Sequence, residues 1–183
     1  MRIVESLSAS MRDGVGLRGD LYQPDTDERR PVILIRTPYG KQGYREDSLV
    51  RKAVERGLAV FVQDVRGRYA SGGEFDPYRQ DGRDGYDTVE WLATQAWSNG
   101  RIGGSGLSYP GAAQWLLAVE APPHLTCIFP AMCFFRAAVL LLQWRVGHVV
   151  DPVDCEQHRP RRSPPAQSPG AADRHGGARV VEA

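Results

Sequence analysis

Apolar residues along the first part of the chain follow the spacing of β-strands in three places. Residues 15–22 alternate between apolar and polar side chains directly after the turn signal Asp13-Gly14, which predicts a hairpin of half-exposed antiparallel strands. Residues 31–36 and 58–64 form short, continuous apolar runs rich in β-branched side chains. Runs of this kind are typical of strands that helices cover on both faces. The pattern therefore predicts an α/β fold whose sheet starts antiparallel and becomes parallel.

Segments with helical spacing separate these strands. Residues 48–56 place their apolar side chains on one face, and Gly57 follows as a glycine cap. Asp84 is positioned to cap a second helix, in which apolar side chains again recur at helical spacing. Residues 112–118 are apolar nearly all round, as expected of a central buried helix, and residues 125–130 predict another parallel strand. Together these segments predict a mostly parallel sheet with helices on both faces.

The composition of the chain changes after about residue 133. Residues 134–150 are compatible with a helix of uncertain extent. Residues 151–183 mix proline, arginine, alanine and glycine without a helix or strand period, and they carry few apolar side chains to offset the entropy cost of ordering. We therefore expect a folded part over residues 1–133 and a disordered tail over residues 151–183. The abrupt change also suggests a frameshift in the gene near Phe134, which reading the coding DNA in the other two frames would test.

Composition and charge narrow the class of protein. Of 183 residues, 42% are hydrophobic and 25% are charged, and the net charge is +1, so nothing indicates a nucleic-acid or membrane partner. The three cysteines show no metal-ligand spacing, and we expect no metal and no cofactor. The amino terminus lacks the apolar core of a signal peptide, and the apolar run 137–150 is too short to span a bilayer. We expect a cytoplasmic protein of undetermined oligomeric state.

Residues 103–111 carry the clearest candidate chemistry. A predicted strand breaks on glycines, presents Ser108, and passes directly into the apolar helix. This is the layout of the nucleophile elbow of α/β-hydrolases, in which a tight turn lifts the serine hydroxyl clear of the sheet. A serine nucleophile needs a neighbouring base and donors for the developing oxyanion, and a helix N-terminus supplies backbone donors. Pro110 replaces the second glycine of the G-x-S-x-G motif, and proline fits a first helical turn.

Two other kinds of glycine-rich turn do not fit these residues. A phosphate-binding P-loop would need a lysine at its end, and the turn has none. A dinucleotide fingerprint would need a glycine at the position of Tyr109. A serine that only caps the helix remains an open alternative.

A second glycine-rich segment, residues 66–73, carries two arginines, Arg66 and Arg68. Guanidinium groups in such a loop can contact an anion or a substrate. The favoured interpretation is structural, with an arginine tying the loop to Asp64 or to a backbone carbonyl.

The chain from about Met11 to Met132 resembles the amino-terminal part of the catalytic domain of CocE/NonD-type hydrolases. These proteins are related to cocaine esterase and to X-prolyl dipeptidyl aminopeptidases. The resemblance rests on separated motifs that occur in the same order. They are Met11-Arg12-Asp13-Gly14-Val15, Arg36-Thr37-Pro38-Tyr39-Gly40-Lys41, Asp64-Val65-Arg66-Gly67, Ser71-Gly72-Gly73, Asp84-Gly85-Tyr86-Asp87, Glu90-Trp91-Leu92, Trp97-Ser98-Asn99-Gly100 and Gly106-Leu107-Ser108-Tyr109.

The resemblance implies an α/β-hydrolase fold, here only its amino-terminal part over residues 1–133. It also implies a serine hydrolase that cleaves a small ester or amide, or a peptide, through an acyl-serine intermediate. Ser108 matches the nucleophile, the backbone N–H of Tyr109 matches one oxyanion donor, and the phenol of Tyr39 matches the second. A phenol suits this role because it donates a hydrogen bond without ionising. The alternative for Tyr39 is a half-buried packing tyrosine.

The aspartate and histidine of the triad are not assigned. In this fold both follow the serine along the chain. The side chains available by type after Ser108, none of which lies in a predicted strand–loop setting, are Asp151, Asp154, His148, His158 and His175. His124 is expected to be a surface loop residue. An alternative function is therefore a catalytically inactive fragment, truncated or frameshifted, that lacks these two groups.

Overall fold

The computed structural model describes residues 1–133, which form a six-stranded sheet, three α-helices and one short 3-10 helix (Lys41–Tyr44) in the loop after the third strand. In chain order the elements are β1 (Arg2–Ser10), β2 (Gly16–Gln23), β3 (Arg30–Thr37), α1 (Ser48–Glu55), β4 (Ala59–Asp64), α2 (Asp81–Ala93), β5 (Ser98–Leu107), α3 (Tyr109–Val119) and β6 (Leu125–Ala131). The predictions of a helix at 134–150 and of a disordered tail at 151–183 lie outside the described residues.

The sheet has the strand order β1-β2-β4-β3-β5-β6. The first three strands in this order pair antiparallel, and β4, β3, β5 and β6 run parallel to one another. The predicted change from an antiparallel start to a parallel sheet is confirmed. Its consequence for function is that the loops after β3, β4 and β5 all emerge at one edge, the carboxyl edge of the parallel strands.

Helices cover the sheet on both faces, as predicted. Alternate residues of β3 and β4 point to opposite sides, so that Leu34 and Phe61 pack with α2 and α3, whereas Ile35 and Val60 pack with α1. Helix α1 begins at the Asp47 cap, whose carboxylate accepts the amides of the first turn. The two apolar layers hold the parallel strands rigidly, which fixes the positions of the loops at the carboxyl edge.

Three local expectations are corrected. The hairpin predicted at the Asp13-Gly14 turn is formed by β1 and β2, but β2 is mostly buried rather than half-exposed because its side chains pack into the apolar layers on both faces of the sheet. The helix expected to start at an Asp84 cap begins at Asp81, and Asp84 is a buried residue of its first turn. The strand that leads to the elbow, expected to start at Arg101, starts at Ser98.

Candidate active site

The chain turns sharply at Ser108, between the end of β5 and the start of α3. Ser108 has a φ of 62° and a ψ of −121°, a conformation that residues with a side chain rarely adopt. Its amide donates to the Ala131 carbonyl at 2.9 Å, and its carbonyl accepts from the Ala112 amide at 3.0 Å. The residue is exposed at the carboxyl edge of the sheet. This is the strand–turn–helix geometry of a nucleophile elbow.

Glycines allow β5 and α3 to approach closely at this turn. A Cβ atom at Gly106 would lie 2.4 Å from the Cβ of Pro110 and 2.7 Å from its carbonyl carbon. A Cβ atom at Gly111 would lie 3.0 Å from the carbonyl oxygens of Ala131 and Gly106. Pro110 occupies the first turn of α3, as expected. The turn therefore depends on glycine at both positions.

We expect Gly106→Ala to destabilise the fold by about 1–3 kcal/mol, the usual cost of forcing extra atoms into a packed contact. The clash involves backbone and a proline ring, which cannot move aside as a flexible side chain would. Urea unfolding followed by circular dichroism measures the effect. Gly43→Ala is the control, because a Cβ atom there meets nothing within 4 Å. Equal unfolding midpoints for the two variants would contradict the expected clash.

Tyr109 anchors the first turn of α3 through its side chain. Its hydroxyl donates to Asp81 Oδ2 at 2.6 Å and accepts from the Tyr78 amide at 3.3 Å. Its ring stacks on that of Tyr78 with centroids 4.4 Å apart. Burial, reinforced by the charge of Asp81, raises the pKa of the Tyr109 phenol far above its usual range, so the phenol remains a donor. The backbone N–H of Tyr109 belongs to the helix N-terminus, where amides have no acceptor within the helix.

Tyr39 lies in the loop that follows β3 and is 61% exposed. Its amide donates to Thr37 Oγ1 at 3.1 Å. Because β3 pairs in parallel with β5, with Leu34 opposite Gly104, the ends of the two strands lie side by side. Tyr39 and Ser108 therefore follow neighbouring strand ends at the same edge of the sheet. The exposure of Tyr39 does not fit the alternative of a half-buried packing tyrosine.

A buried ion pair holds the loop that carries Tyr39. Lys41 is only 3% exposed, and its Nζ donates to Asp20 Oδ1 at 2.6 Å. The Lys41 amide donates to Asp64 Oδ1 at 2.8 Å. Burial raises the pKa of the Asp64 carboxyl above its usual value, against the hydrogen bond from Lys41. Sequence reasoning did not identify this anchor, although a charged residue inside an apolar alternation, Asp20, was a signal for it.

A second buried cluster joins β3, the loop after β4 and α2. Arg36 donates from Nε to Gln63 Oε1 at 3.1 Å, and its Nη2 lies 3.4 Å from Asp81 Oδ1. Arg66 donates from Nη2 to Asp84 Oδ1 at 2.7 Å, and Arg36 Nη2 lies 3.8 Å from Asp84 Oδ2. Asp81 also binds the Tyr109 hydroxyl, so this cluster is connected directly to the elbow helix. It was not predicted.

The two loop arginines have different surroundings. Arg66 has a structural role as favoured, but its partners are Asp84 and Asp13, at 2.7 and 2.8 Å, rather than the expected Asp64. Arg68 donates from Nε to the Pro38 carbonyl at 3.1 Å, which matches the expected tie to a backbone carbonyl. Pro38 is the residue before Tyr39, so Arg68 contacts the candidate site.

His124 lies away from this site. It precedes β6 at the amino edge of the sheet, and its Nδ1 lies 2.8 Å from Glu90 Oε2. Strand β6 pairs with β5 from Leu125 opposite Ile102 to Ala131 opposite Leu107. At about 3.3 Å per strand residue, His124 is about 20 Å from the carboxyl edge. It is the one histidine among residues 1–133, and the other side chains considered for the triad lie outside the described residues.

Residues 1–133 contain no group of three or more histidine, cysteine, aspartate or glutamate side chains that could hold a metal ion. No helix in this span is long and apolar enough to cross a membrane. The described site thus consists of an exposed serine on a strained turn, an exposed tyrosine in the loop after the neighbouring strand, and the backbone donors of a helix N-terminus.

Comparison with known proteins places the chain in a family. Residues 13–149 match the family described as X-Pro dipeptidyl-peptidase (S15 family). The chain is 41% identical to the cocaine esterase of Rhodococcus sp. (strain MB1 Bresler), with 71% of this chain and 23% of the esterase covered. It is 34% identical to a putative serine esterase of Mycobacterium tuberculosis (strain CDC 1551 / Oshkosh), with 71% and 24% covered. The chain therefore spans about a quarter of the length of these relatives.

Solved structures agree with this family. A CocE/NonD family hydrolase from Staphylococcus aureus superposes with a TM-score of 0.64 at 29% identity, covering 72% of this chain and 28% of the hydrolase. An α-amino acid ester hydrolase superposes with a TM-score of 0.66 at 28% identity, covering 72% and 25%. The sheet order, the elbow and these similarities agree. The chain belongs to the X-Pro dipeptidyl-peptidase (S15) family and carries the amino-terminal part of a CocE/NonD-type α/β-hydrolase fold.

Proposed function

We propose that this chain carries the nucleophile and the oxyanion hole of a hydrolase that cleaves an ester, or a related amide or peptide, through an acyl-serine intermediate. The observation that carries the proposal is the backbone of Ser108, which holds the residue exposed on a strained turn between β5 and α3. A serine that only capped the helix would accept an amide hydrogen bond with its side chain, and Ser108 forms no such cap. Two relatives are named as esterases, which supports an ester as the substrate.

In this proposal two donors stabilise the tetrahedral intermediate. One is the backbone N–H of Tyr109, which follows the nucleophile and lies at the positive end of α3. The other is the phenol of Tyr39, whose loop is held in place by Lys41 and by the Arg68 hydrogen bond. Because both donors belong to braced elements, little reorganisation accompanies the development of charge on the substrate oxygen.

The general base belongs to residues outside 1–133 in this proposal, because His124 lies at the opposite edge of the sheet. A second candidate function follows from the same observation. In that case the chain is an inactive truncated or frameshifted fragment. It keeps the fold but, without a base beside Ser108, forms no acyl-enzyme.

The test is pre-steady-state hydrolysis of p-nitrophenyl acetate by the full chain. An acyl-serine mechanism gives a burst of p-nitrophenol close to one equivalent, with an acetyl group mapped to Ser108 by peptide mass spectrometry. Ser98, which is buried in β5, is the internal control and should carry no acetyl group. A linear time course without an adduct on folded protein would instead favour the inactive fragment.

We expect Tyr39→Phe to slow acylation by about 10²–10³-fold, the usual loss when one oxyanion donor is removed. The ring remains, so packing of the exposed side chain changes little. The burst rate constant measures the effect. Tyr86→Phe, which removes a hydroxyl from α2, is the matched control and should acylate at the rate of the unaltered chain. If Tyr39→Phe also acylates at that rate, the phenol is not an oxyanion donor.

A further inference from the structure

Arg68 lies in the loop after β4, at the carboxyl edge of the sheet. Its guanidinium has no carboxylate partner among the described residues. Its neighbour in the same loop, Arg66, is paired with Asp84 and Asp13. Within residues 1–133, the Arg68 guanidinium forms no ion pair, and its one hydrogen bond runs from Nε to the Pro38 carbonyl at 3.1 Å. It is half-buried and so remains in contact with solvent.

Aromatic rings hold this guanidinium in place. Its Cζ lies 5.4 Å from the centroid of the Tyr69 ring and 5.2 Å from that of Phe75. The Tyr69 ring in turn packs on the loop of Tyr39. Its Cζ atom lies 3.1 Å from the position that a Cβ atom would occupy at Gly40. The rings and the Nε hydrogen bond restrict the side chain, which lowers the entropy cost of binding a further anion.

The topology places the loop that carries this cation at the same edge of the sheet as the candidate nucleophile. Arg68 follows β4, Tyr39 follows β3 and Ser108 follows β5, and these strands are adjacent in the order β4-β3-β5. Two strand spacings of about 4.8 Å separate the ends of β4 and β5, so about 10 Å lies between them along the edge. A substrate several bonds long spans that distance with its scissile carbonyl at Ser108.

We propose that Arg68 determines substrate specificity by binding a carboxylate several bonds from the scissile ester, as in a half-ester of a dicarboxylic acid. The inference deepens the proposed function and rests on Ser108 being the nucleophile. The planar fork of the guanidinium, with Nε used by Pro38, presents its Nη donors to a carboxylate. The carboxylate takes the place of the acidic partner that Arg66 has and Arg68 lacks.

The test compares two fluorophosphonates of equal chain length, one ending in a carboxylate and the other in its methyl ester. In the unaltered chain the carboxylate probe should label Ser108 roughly tenfold faster, as one charge-assisted hydrogen bond provides. In Arg68→Met the ratio of the two rates should fall to about one, and in Arg68→Lys it should lie between. Each variant serves as its own reference, because only the ratio is read. A ratio near one in the unaltered chain, or one that survives in Arg68→Met, overturns the inference.

A second measurement reads Arg68 without using the nucleophile. Phenylglyoxal modifies accessible guanidinium groups, and monomethyl glutarate should slow its reaction with Arg68 while dimethyl glutarate does not. Arg101, exposed near the amino end of β5, is the internal control and should react at one rate throughout. Equal protection by both esters, or none, overturns the inference. Failure of both fluorophosphonates to label Ser108 would contradict the proposed function instead, and the phenylglyoxal result would still decide on Arg68.

Discussion

Replacing Ser108 with glycine should abolish covalent labelling by an alkyl fluorophosphonate and at the same time make the fold more stable. The backbone of Ser108 lies at a φ of 62° and a ψ of −121°. A side chain in this region costs about 1–3 kcal/mol, which glycine does not incur. Part of this gain is lost because glycine is more flexible in the unfolded chain, and a net stabilisation of about 1 kcal/mol remains. Urea unfolding and intact-protein mass after labelling measure the two effects.

Ser108→Ala is the matched control for this prediction. It also removes the hydroxyl, so labelling should again be absent, but it keeps the Cβ atom and the strained backbone. Its stability should lie within about 0.5 kcal/mol of that of the unaltered chain. Labelling that persists in either variant would show that another residue is the nucleophile. If the Ser108→Gly chain is less stable than the Ser108→Ala chain, the backbone at this position is not strained by a side chain.

Replacing Asp84 with alanine should destabilise the fold by about 3–5 kcal/mol, the usual cost of removing one partner from a buried ion pair. Asp84 is 3% exposed and lies between Arg66, at 2.7 Å, and Arg36, at 3.8 Å. Its loss leaves positive charge buried between β3, the loop after β4 and α2. The effect is a large part of the stability of a domain of this size, which is about 5–15 kcal/mol.

The measurement is the urea unfolding midpoint, with Asp27→Ala as the control. Asp27 pairs with Arg2 at 3.5 Å, but its side chain is 99% exposed, so its removal should change stability by less than about 0.5 kcal/mol. If the two variants unfold at similar urea concentrations, the buried cluster does not support the fold. A selective loss at Asp84 would show that the cluster stabilises the elements around the elbow.

Features that depend on neighbouring residues were predictable from the sequence. The elbow was recognised because its glycines, its serine and the apolar helix follow one another within residues 103–118. The strands β3 and β4 were found because strands covered on both faces are continuously apolar. The loops of Tyr39 and Ser108 were expected at one edge because loops after parallel strands meet there, and β3 and β5 are parallel neighbours.

Features that depend on partners far away in the chain could not be predicted from the sequence. The hairpin was predicted, but the bounds of its first strand, β1, were not, because polar side chains obscure the alternation of this edge strand. The cap assigned to Asp84 was wrong because an aspartate near a helix start fits a cap and a buried ion pair equally well. Only the fold brings Arg36 and Arg66 to the same carboxylate. The Lys41–Asp20 pair likewise joins segments that are far apart in the chain.

The most direct test of the proposed site is a crystal structure of the chain after reaction with a fluorophosphonate. We expect phosphorus bonded to Ser108 Oγ, with the phosphonyl oxygen about 2.7–3.1 Å from both Tyr39 Oη and the Tyr109 backbone nitrogen. An adduct on a different residue, or a phosphonyl oxygen directed to solvent away from both donors, would contradict this expectation.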